Sequence, residues 1–144
     1  MKIRQLSIFI ENKPGHLRRA CRLLTDAGID IETMALADTE QFGILRFIIK
    51  DWQRAKTIFE NQGLVVRETE LIAVMVEDRP GGLTDLLESI DKANLNIEYM
   101  YGYASRVAGK AVMFLRFNEP DEALKALNEN NVVVVAIDEI FKSG

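Results

Sequence analysis

The sequence predicts an α+β protein made of two consecutive βαββαβ units of the ferredoxin-like kind. One reason is a Pro-Gly dipeptide that occurs twice, with Pro14 and Pro80 lying 66 residues apart. Each copy stands between a β-prone apolar run and apolar residues at helical spacing. The other reason is the order strand, helix, strand, strand, helix, strand, which is predicted from residue 3 and again from residue 71. A repeat of this length indicates a duplicated domain and not a solenoid.

The first copy begins with an apolar run over residues 3–10 that is predicted as a strand and leads into a helix. Pro14 suits the first turn of that helix, because its φ is preset and it has no amide hydrogen to satisfy. Gly28 ends the helix as a left-handed cap. The inner helix face carries apolar residues at helical spacing: Leu17, Ala20, Cys21, Leu24 and Ala27. The remaining predicted elements are strands over residues 29–36, 44–49 and 64–66, a hairpin turn at 38–43 and a helix capped by Asp51.

The second copy repeats this order from a strand over residues 71–76. A second helix opens at residues 119–121, and the valine-rich segment 132–137 is predicted as the last strand. Its first helix again has an apolar inner face: Leu83, Leu86, Leu87, Ile90 and Ala93.

Only the polar tripeptide 68–70 separates the two copies, so we predict two modules, residues 1–69 and residues 70–144, packed side by side. A ferredoxin-like unit places its helices on one face of an antiparallel sheet. The exposed edges of such a sheet are a liability unless they are paired. We therefore expect one eight-stranded antiparallel sheet with four helices on one face.

The composition excludes several classes of protein. Lys and Arg total 18 against 22 Asp and Glu, and the resulting net charge of −4 argues against nucleic acid as the main partner. Cys21 is the only cysteine, so no intramolecular disulfide can form. The N-terminus lacks the apolar core of a signal peptide, and no apolar run reaches the ~18 residues of a membrane span. We expect a cytoplasmic protein that does not contact a membrane.

The two Pro-Gly turns are the candidate ligand sites, because a helix N-terminus leaves its first amides unbonded and carries about half a positive charge. A carboxylate can be held there without a basic side chain. Gly15 and Gly81 lack a Cβ and permit close approach to the backbone, while Asn12 and Asp78 can accept a hydrogen bond from an ammonium group. These features suit the main chain of a free amino acid. The alternative is a purely structural turn in which Asn or Asp only caps the helix.

The two turns resemble those of ACT domains, the small regulatory modules of amino-acid metabolism. The resemblance is carried by segments 12–17 and 28–31 and again by 78–83 and 94–97, so it covers almost the whole chain as two modules. It implies the βαββαβ fold, side-by-side pairing, and an amino acid bound at the interface between modules. It also implies ligand contacts from each turn and from the start of the neighbouring module's second strand: Asn12, Pro14, Gly15, His16, Leu17, Asp30 and Ile31, then Asp78, Pro80, Gly81, Gly82, Leu83, Asn96 and Ile97. The second copy departs from the pattern at Asn94, which replaces the helix-ending glycine.

Other possible functional residues give no catalytic or metal signal. His16 is the only histidine, and a single His beside a single distant Cys forms neither a zinc site nor a nucleophile with its base. Cys21 lies on the apolar helix face, which favours a buried thiol. The chain has no phosphate-binding glycine loop, no RNA-binding aromatic strand and no CxxC pair.

Three tyrosines, Tyr99, Tyr101 and Tyr103, alternate along the second strand of the second copy and share one face. They can form the wall of a pocket or a subunit interface, or they can pack under a helix. The first copy has Thr and Ala at the matching places. We therefore expect any two sites to differ in affinity.

The sequence thus predicts a non-catalytic, homodimeric pair of ACT modules that senses a free amino acid, with no cofactor and no bound metal. Ligand binding would couple the modules to a metabolic enzyme regulated in trans. The competing expectation is a regulatory subunit that acts on an enzyme of amino-acid metabolism mainly by protein contact, with vestigial ligand sites. An enzyme would need a cluster of titratable groups, and the turns offer only Asn12, Asp78 and His16.

Overall fold

The computed structural model of the chain describes residues 1–11, 13–38 and 42–141. The chain folds into two units. The first unit comprises residues 4–69, and the second unit comprises residues 1–3 together with 70–144. Each unit combines antiparallel strands with helices in the predicted order. The α+β class and the two βαββαβ modules are therefore confirmed.

The first unit is built from β1 (Ile3–Glu11), α1 (His16–Asp26), β2 (Thr33–Asp38), β3 (Phe42–Ile48), α2 (Trp52–Asn61) and the first part of β4 (Val66–Val76). Strand β3 pairs antiparallel with both β1 and β2, so Leu45 lies opposite Ile8 and Leu36. The apolar faces of the sheet and the two helices enclose one core, in which the rings of Phe47 and Phe59 stack 5.7 Å apart.

The second unit contains the rest of β4, α3 (Gly82–Lys92), β5 (Ile97–Val107), β6 (Lys110–Phe117), α4 (Pro120–Glu129), β7 (Val134–Val135) and α5 (Ile137–Ile140). Strand β6 pairs antiparallel with β4 and β5, and β7 pairs with β4. The core between this sheet and α3 and α4 includes Val74, Leu86, Leu115 and Leu127.

The junction between the two copies differs from its prediction. Residues 64–66, 68–70 and 71–76 were expected to form a strand, a connection and another strand, but β4 runs without interruption from Val66 to Val76. Within the connection, Glu68 accepts hydrogen bonds from Arg4 at 2.6 Å and from Lys56 at 2.7 Å. These partners satisfy the carboxylate while the backbone stays extended. Across the described ranges the strands number seven, because β4 serves both copies.

Two other strands are displaced or shortened. The strand predicted over residues 29–36 begins only at Thr33, because Ile29 is buried in the core of the first unit and holds the preceding segment there. The strand predicted over residues 132–137 is reduced to the two residues of β7, after which the chain turns into α5.

The C-terminal segment adds a fifth helix, α5, that was not among the four predicted helices. Phe141, directly after α5, packs edge-on against Tyr103 with ring centroids 4.9 Å apart, and lies 6.2 Å from Phe114. Phe114 and Leu115 point to opposite faces of β6, and Leu115 belongs to the core beneath α3 and α4. The segment therefore covers the other face of this sheet.

The tyrosines of β5 follow the same division of faces. Tyr101 and Tyr103 both pack on Phe114, with centroids 5.3 and 6.3 Å away. This contact supports the packing alternative, with the C-terminal segment rather than α3 or α4 as part of the cover.

The ion pairs of Glu68 predict a small pH dependence of stability. The pKa of this carboxyl is lowered, chiefly by the hydrogen bond from Lys56 and also by the charge of Arg4. Its contribution to stability is therefore present above the ordinary glutamate pKa of about 4.3 and is lost as the pH falls through the folded value. We expect Glu68→Gln to lower the melting temperature at neutral pH and to have little effect in acid.

Melting curves recorded at both pH values test this prediction. The matched control is Glu88→Gln, which removes an exposed carboxylate from α3. An equal loss of stability at the two pH values in Glu68→Gln would rule out the ion pairs as its cause.

Candidate functional site

The first Pro-Gly turn is a compact backbone structure at the start of α1. The Lys13 amide donates to the Glu11 carbonyl at 2.8 Å, and the His16 amide donates to the Lys13 carbonyl at 3.2 Å. Gly15 caps the helix with φ of 88°, in the left-handed region that favours glycine. Its carbonyl accepts the Arg19 amide at 3.0 Å. The turn therefore requires a glycine for its backbone, whatever it binds.

The next two amides of α1 have no protein partner. In the part of the chain that the structure describes, the Leu17 and Arg18 amides donate to no carbonyl or side-chain oxygen, and no side chain caps the helix. Among the described residues, the Leu83 and Thr84 amides of α3 likewise have no hydrogen-bond acceptor. Both helix N-termini thus keep the polarised donors that an anion can use.

A cavity of about 690 Å³ lies beside the first turn, within the first unit. This volume falls in the range of small-molecule sites, roughly 300–1,000 Å³. We call it the first-unit cavity; its lining residues are Phe9, Ile10, Glu11, His16, Arg19, Ala20, Arg22, Leu23, Phe42, Gln62, Leu64 and Val65.

One face of α1 supplies a wall of the first-unit cavity. His16, Arg19, Ala20 and Leu23 stand at i, i+3, i+4 and i+7, so they form a single stripe along the helix. Sequence reasoning considered only the neighbouring stripe of Leu17, Cys21 and Leu24, in which Leu24 is buried but Leu17 is exposed. The same spacing rule, started from His16, would have identified this second stripe.

The polar groups of the first-unit cavity carry opposite charges. Glu11 pairs with Lys13 at 2.9 Å, and this hydrogen bond lowers the pKa of the Glu11 carboxyl. Arg22 faces Asp26 across a long contact of 3.9 Å. Arg19 makes no ion pair or hydrogen bond with any side chain among the described residues. The cavity therefore presents an ionised carboxylate and a guanidinium that has no protein partner.

The second turn has the same backbone path but is packed more tightly. Gly81 has φ of 88° and its carbonyl accepts the Asp85 amide at 2.9 Å, as in the first turn. Gly82, however, is buried, and a Cβ added there would lie 1.9 Å from the Glu77 carbonyl oxygen. The matching residue of the first turn is His16, which carries a side chain.

Charged side chains of the protein occupy the surroundings of the second turn. Arg79 pairs with Asp85 at 2.5 Å and donates to the Pro80 carbonyl at 3.1 Å. Asp78, expected to accept a ligand ammonium, forms an ion pair with Arg106 from β5. Glu77 pairs with Lys110 at 3.0 Å. Asp78, the acceptor expected to meet a ligand ammonium, is thus already engaged, whereas the Leu83 and Thr84 amides have no protein partner among the described residues.

Two smaller cavities border the second turn. One of about 430 Å³ is lined by Asp78, Pro80 and Leu83 among others, and one of about 280 Å³ is lined by Gly82 among others. Both are smaller than the first-unit cavity, and both include the ion-paired residues named above.

The predicted site residues are therefore not all brought together. Among those of the first turn only His16 lines the first-unit cavity, while Asn12 lies outside the described residues. Ile31 and Ile97 pack against the cores of their own units, and Asp30 and Asn96 are exposed. None of these four residues lines any of the three cavities.

Neither a metal centre nor a reactive thiol is apparent. In residues 1–11, 13–38 and 42–141 no three His, Cys, Asp or Glu side chains are grouped as metal ligands. Cys21 is half-buried beside the first core, where burial raises the pKa of its thiol. Among the helices described, none has both the length and the apolar character that crossing a membrane requires.

The fold and its turns define a duplicated module of the regulatory, small-molecule-binding class. Residues 1–143 match the family model described as an ACT domain pair, and the chain belongs to this family. The comparison with curated proteins finds no match. Membership confirms the resemblance predicted from the two turns.

Solved structures with the same fold include one at moderate sequence identity. The protein BT0572 from Bacteroides thetaiotaomicron is 29% identical, with a TM-score of 0.89 over 99% of this chain and 98% of that chain. The ligand-free regulatory subunit of aspartate kinase from Thermus thermophilus is 15% identical, with a TM-score of 0.63 over 91% and 94%. The corresponding subunit from Thermus flavus has a TM-score of 0.62 at 15% identity over 90% and 93%. These likenesses establish the shared fold.

Proposed function

We propose that this protein is a non-catalytic regulator that binds a free amino acid in the first-unit cavity. The observation that carries the proposal is the Arg19 guanidinium, which has no side-chain partner among the described residues, in a cavity of about 690 Å³ that reaches the first turn at His16. A carboxylate beside Arg19 gains a charge-assisted hydrogen bond, the stronger kind. Glu11 can receive the ligand ammonium in place of the exposed Lys13, because its lowered pKa keeps it ionised at neutral pH.

The second turn is proposed to bind weakly or not at all. Its Asp78 and Arg79 pair with other side chains of the protein, so a ligand would first have to displace those ion pairs. The two copies would then differ in affinity, as the sequence predicts. Amino-acid binding by the first unit would change the activity of a separate enzyme. By their name, the aspartate kinase regulatory subunits are proteins that regulate an enzyme.

A homodimer is also part of the proposal. Strand β2 ends the order of paired strands in the first unit, and its Met34 and Leu36 are exposed. An unpaired sheet edge with apolar side chains favours pairing with another strand.

A thermal-shift screen of the twenty amino acids, followed by calorimetry, tests ligand binding. A true ligand at 100 times its Kd is expected to stabilise the folded protein by about 2.7 kcal/mol. Arg19→Gln is expected to weaken binding by about tenfold or more, since hydrogen bonds to charged groups contribute about 1.5–3 kcal/mol. Arg18→Gln is the matched control, because Arg18 is exposed and does not line the cavity.

The outcomes separate the two candidate functions. Stabilisation by no amino acid would favour the alternative, a subunit that regulates an amino-acid-metabolism enzyme through protein contact alone. Equal affinity in Arg19→Gln and Arg18→Gln would show that the ligand lies elsewhere than in the first-unit cavity.

A further inference from the structure

We infer that the first-unit cavity selects an amino acid with a large apolar side chain, branched aliphatic or aromatic. This inference rests on the proposed function and adds the class of ligand. It is carried by the apolar residues that line one cavity from three elements of the first unit and one connection: Phe9 and Ile10 of β1, Leu23 of α1, Phe42 of β3, and Leu64 and Val65 between α2 and β4.

Along α1 the charged groups nearest the turn are separated from Leu23, beside which Arg22 faces Asp26 at 3.9 Å. Glu11 and His16 lie at the turn, and Arg19 lies one turn further. Leu23 follows Arg19 by four residues, which is about 6 Å along a helix axis. A carboxylate at Arg19 and an ammonium at Glu11 therefore leave the side chain of the ligand beside Leu23 and the apolar wall.

Two of the wall residues are unusually exposed for their type. Phe42 is 49% exposed and Val65 is 60% exposed, although both border the same cavity. A bound apolar side chain would remove this surface from water, which is favourable in proportion to the area covered. A polar side chain against these two residues would lose hydration without gaining a hydrogen-bond partner from their side chains. The hydrogen-bonding side chains in the rest of the lining include Arg22 and Gln62.

The size of the cavity also bears on the ligand. About 690 Å³ accommodates an aromatic or branched side chain together with the amino-acid main chain. A small amino acid such as alanine or serine would leave the wall largely uncovered. Shape and polarity thus favour the same class of ligand.

Calorimetric titration of the full chain with side-chain isosteres separates polarity from size. The isosteric probes are L-leucine against L-asparagine and L-valine against L-threonine, while L-phenylalanine against L-serine changes size as well as polarity. We expect the best apolar member to bind at least about tenfold more tightly than its polar counterpart, the discrimination typical of an apolar pocket.

A matched pair of valine variants tests the wall. Val65→Ser places a hydroxyl on the cavity wall, whereas Val133→Ser makes the same change at the exposed valine that precedes β7 in the second unit, 52% exposed. We expect Val65→Ser to weaken binding of the apolar ligand about tenfold, the lower end of the effect of one lost apolar group, and Val133→Ser to leave it unchanged.

The possible failures are distinguishable. Equal or tighter binding of the polar isosteres, or equal effects of the two valine variants, would overturn this inference while amino-acid binding itself stands. Binding of none of the probes or of the other amino acids would overturn the proposed function and this inference together.

Discussion

Replacing Gly82 with alanine is expected to lower the free energy of unfolding by about 2 kcal/mol or more. The added Cβ would lie 1.9 Å from the Glu77 carbonyl oxygen, which is a backbone atom and cannot rotate away as a side chain can. The same carbonyl accepts the Arg79 amide at 3.0 Å, and the Arg79 carbonyl accepts the Gly82 amide at 3.0 Å. Relieving the clash therefore disrupts the turn.

This outcome is informative because the intrinsic helix propensities of alanine and glycine predict the opposite effect on stability. Alanine in a helix is favoured over glycine by about 1 kcal/mol. Unfolding in urea, followed by circular dichroism without ligand, measures the balance. His16→Ala changes the matching residue of the first turn and is expected to have little effect, because that position already carries a side chain. An unchanged midpoint in Gly82→Ala would mean that the second turn relaxes without cost.

The second large effect is expected from Phe141→Ala, which should destabilise the second unit by about 3–5 kcal/mol. Phe141 is buried, and its ring lies against Tyr103 and Phe114. Truncation removes these contacts and leaves a cavity over one face of the sheet. Phe42→Ala is the control, because the same aromatic side chain is lost there from a half-exposed position.

Two signals show which unit loses stability in Phe141→Ala. Trp52 is the only tryptophan and lies in the first unit, so its fluorescence reports that unit, while circular dichroism reports both. We expect the dichroism transition to shift to lower urea concentration. A loss in Phe141→Ala no larger than in Phe42→Ala would show that the C-terminal segment does not contribute to the stability of the sheet.

The two turns show how duplicated sequence acquires different chemistry. Both have a glycine at φ of 88° and the same pattern of backbone hydrogen bonds. The first borders a large cavity in which Arg19 pairs with no side chain that the structure describes, whereas Asp78 and Arg79 of the second are held in ion pairs. The difference lies in the neighbours of each turn and not in its backbone.

The sequence by itself determined the order of strands and helices, the two glycine turns and membership of the ACT family. These features could be predicted because the spacing of apolar residues and the positions of glycine and proline depend mainly on the local conformation of the backbone. The predicted ends of strands were wrong where contacts with residues distant in the sequence determine the structure. Ile29 is buried in a core, and the residues after β7 form α5, which places Phe141 against the sheet.

Only the tertiary structure decided which residues share a cavity. His16, Arg19 and Leu23 form a stripe that local spacing permits but does not single out, and Phe42 and Val65 join it from segments far along the chain. In the same way Arg106 reaches Asp78 only because the β5–β6 hairpin returns to the turn. The partners of a side chain depend on how helices and strands pack together, and the spacing of apolar residues within one element does not contain that information.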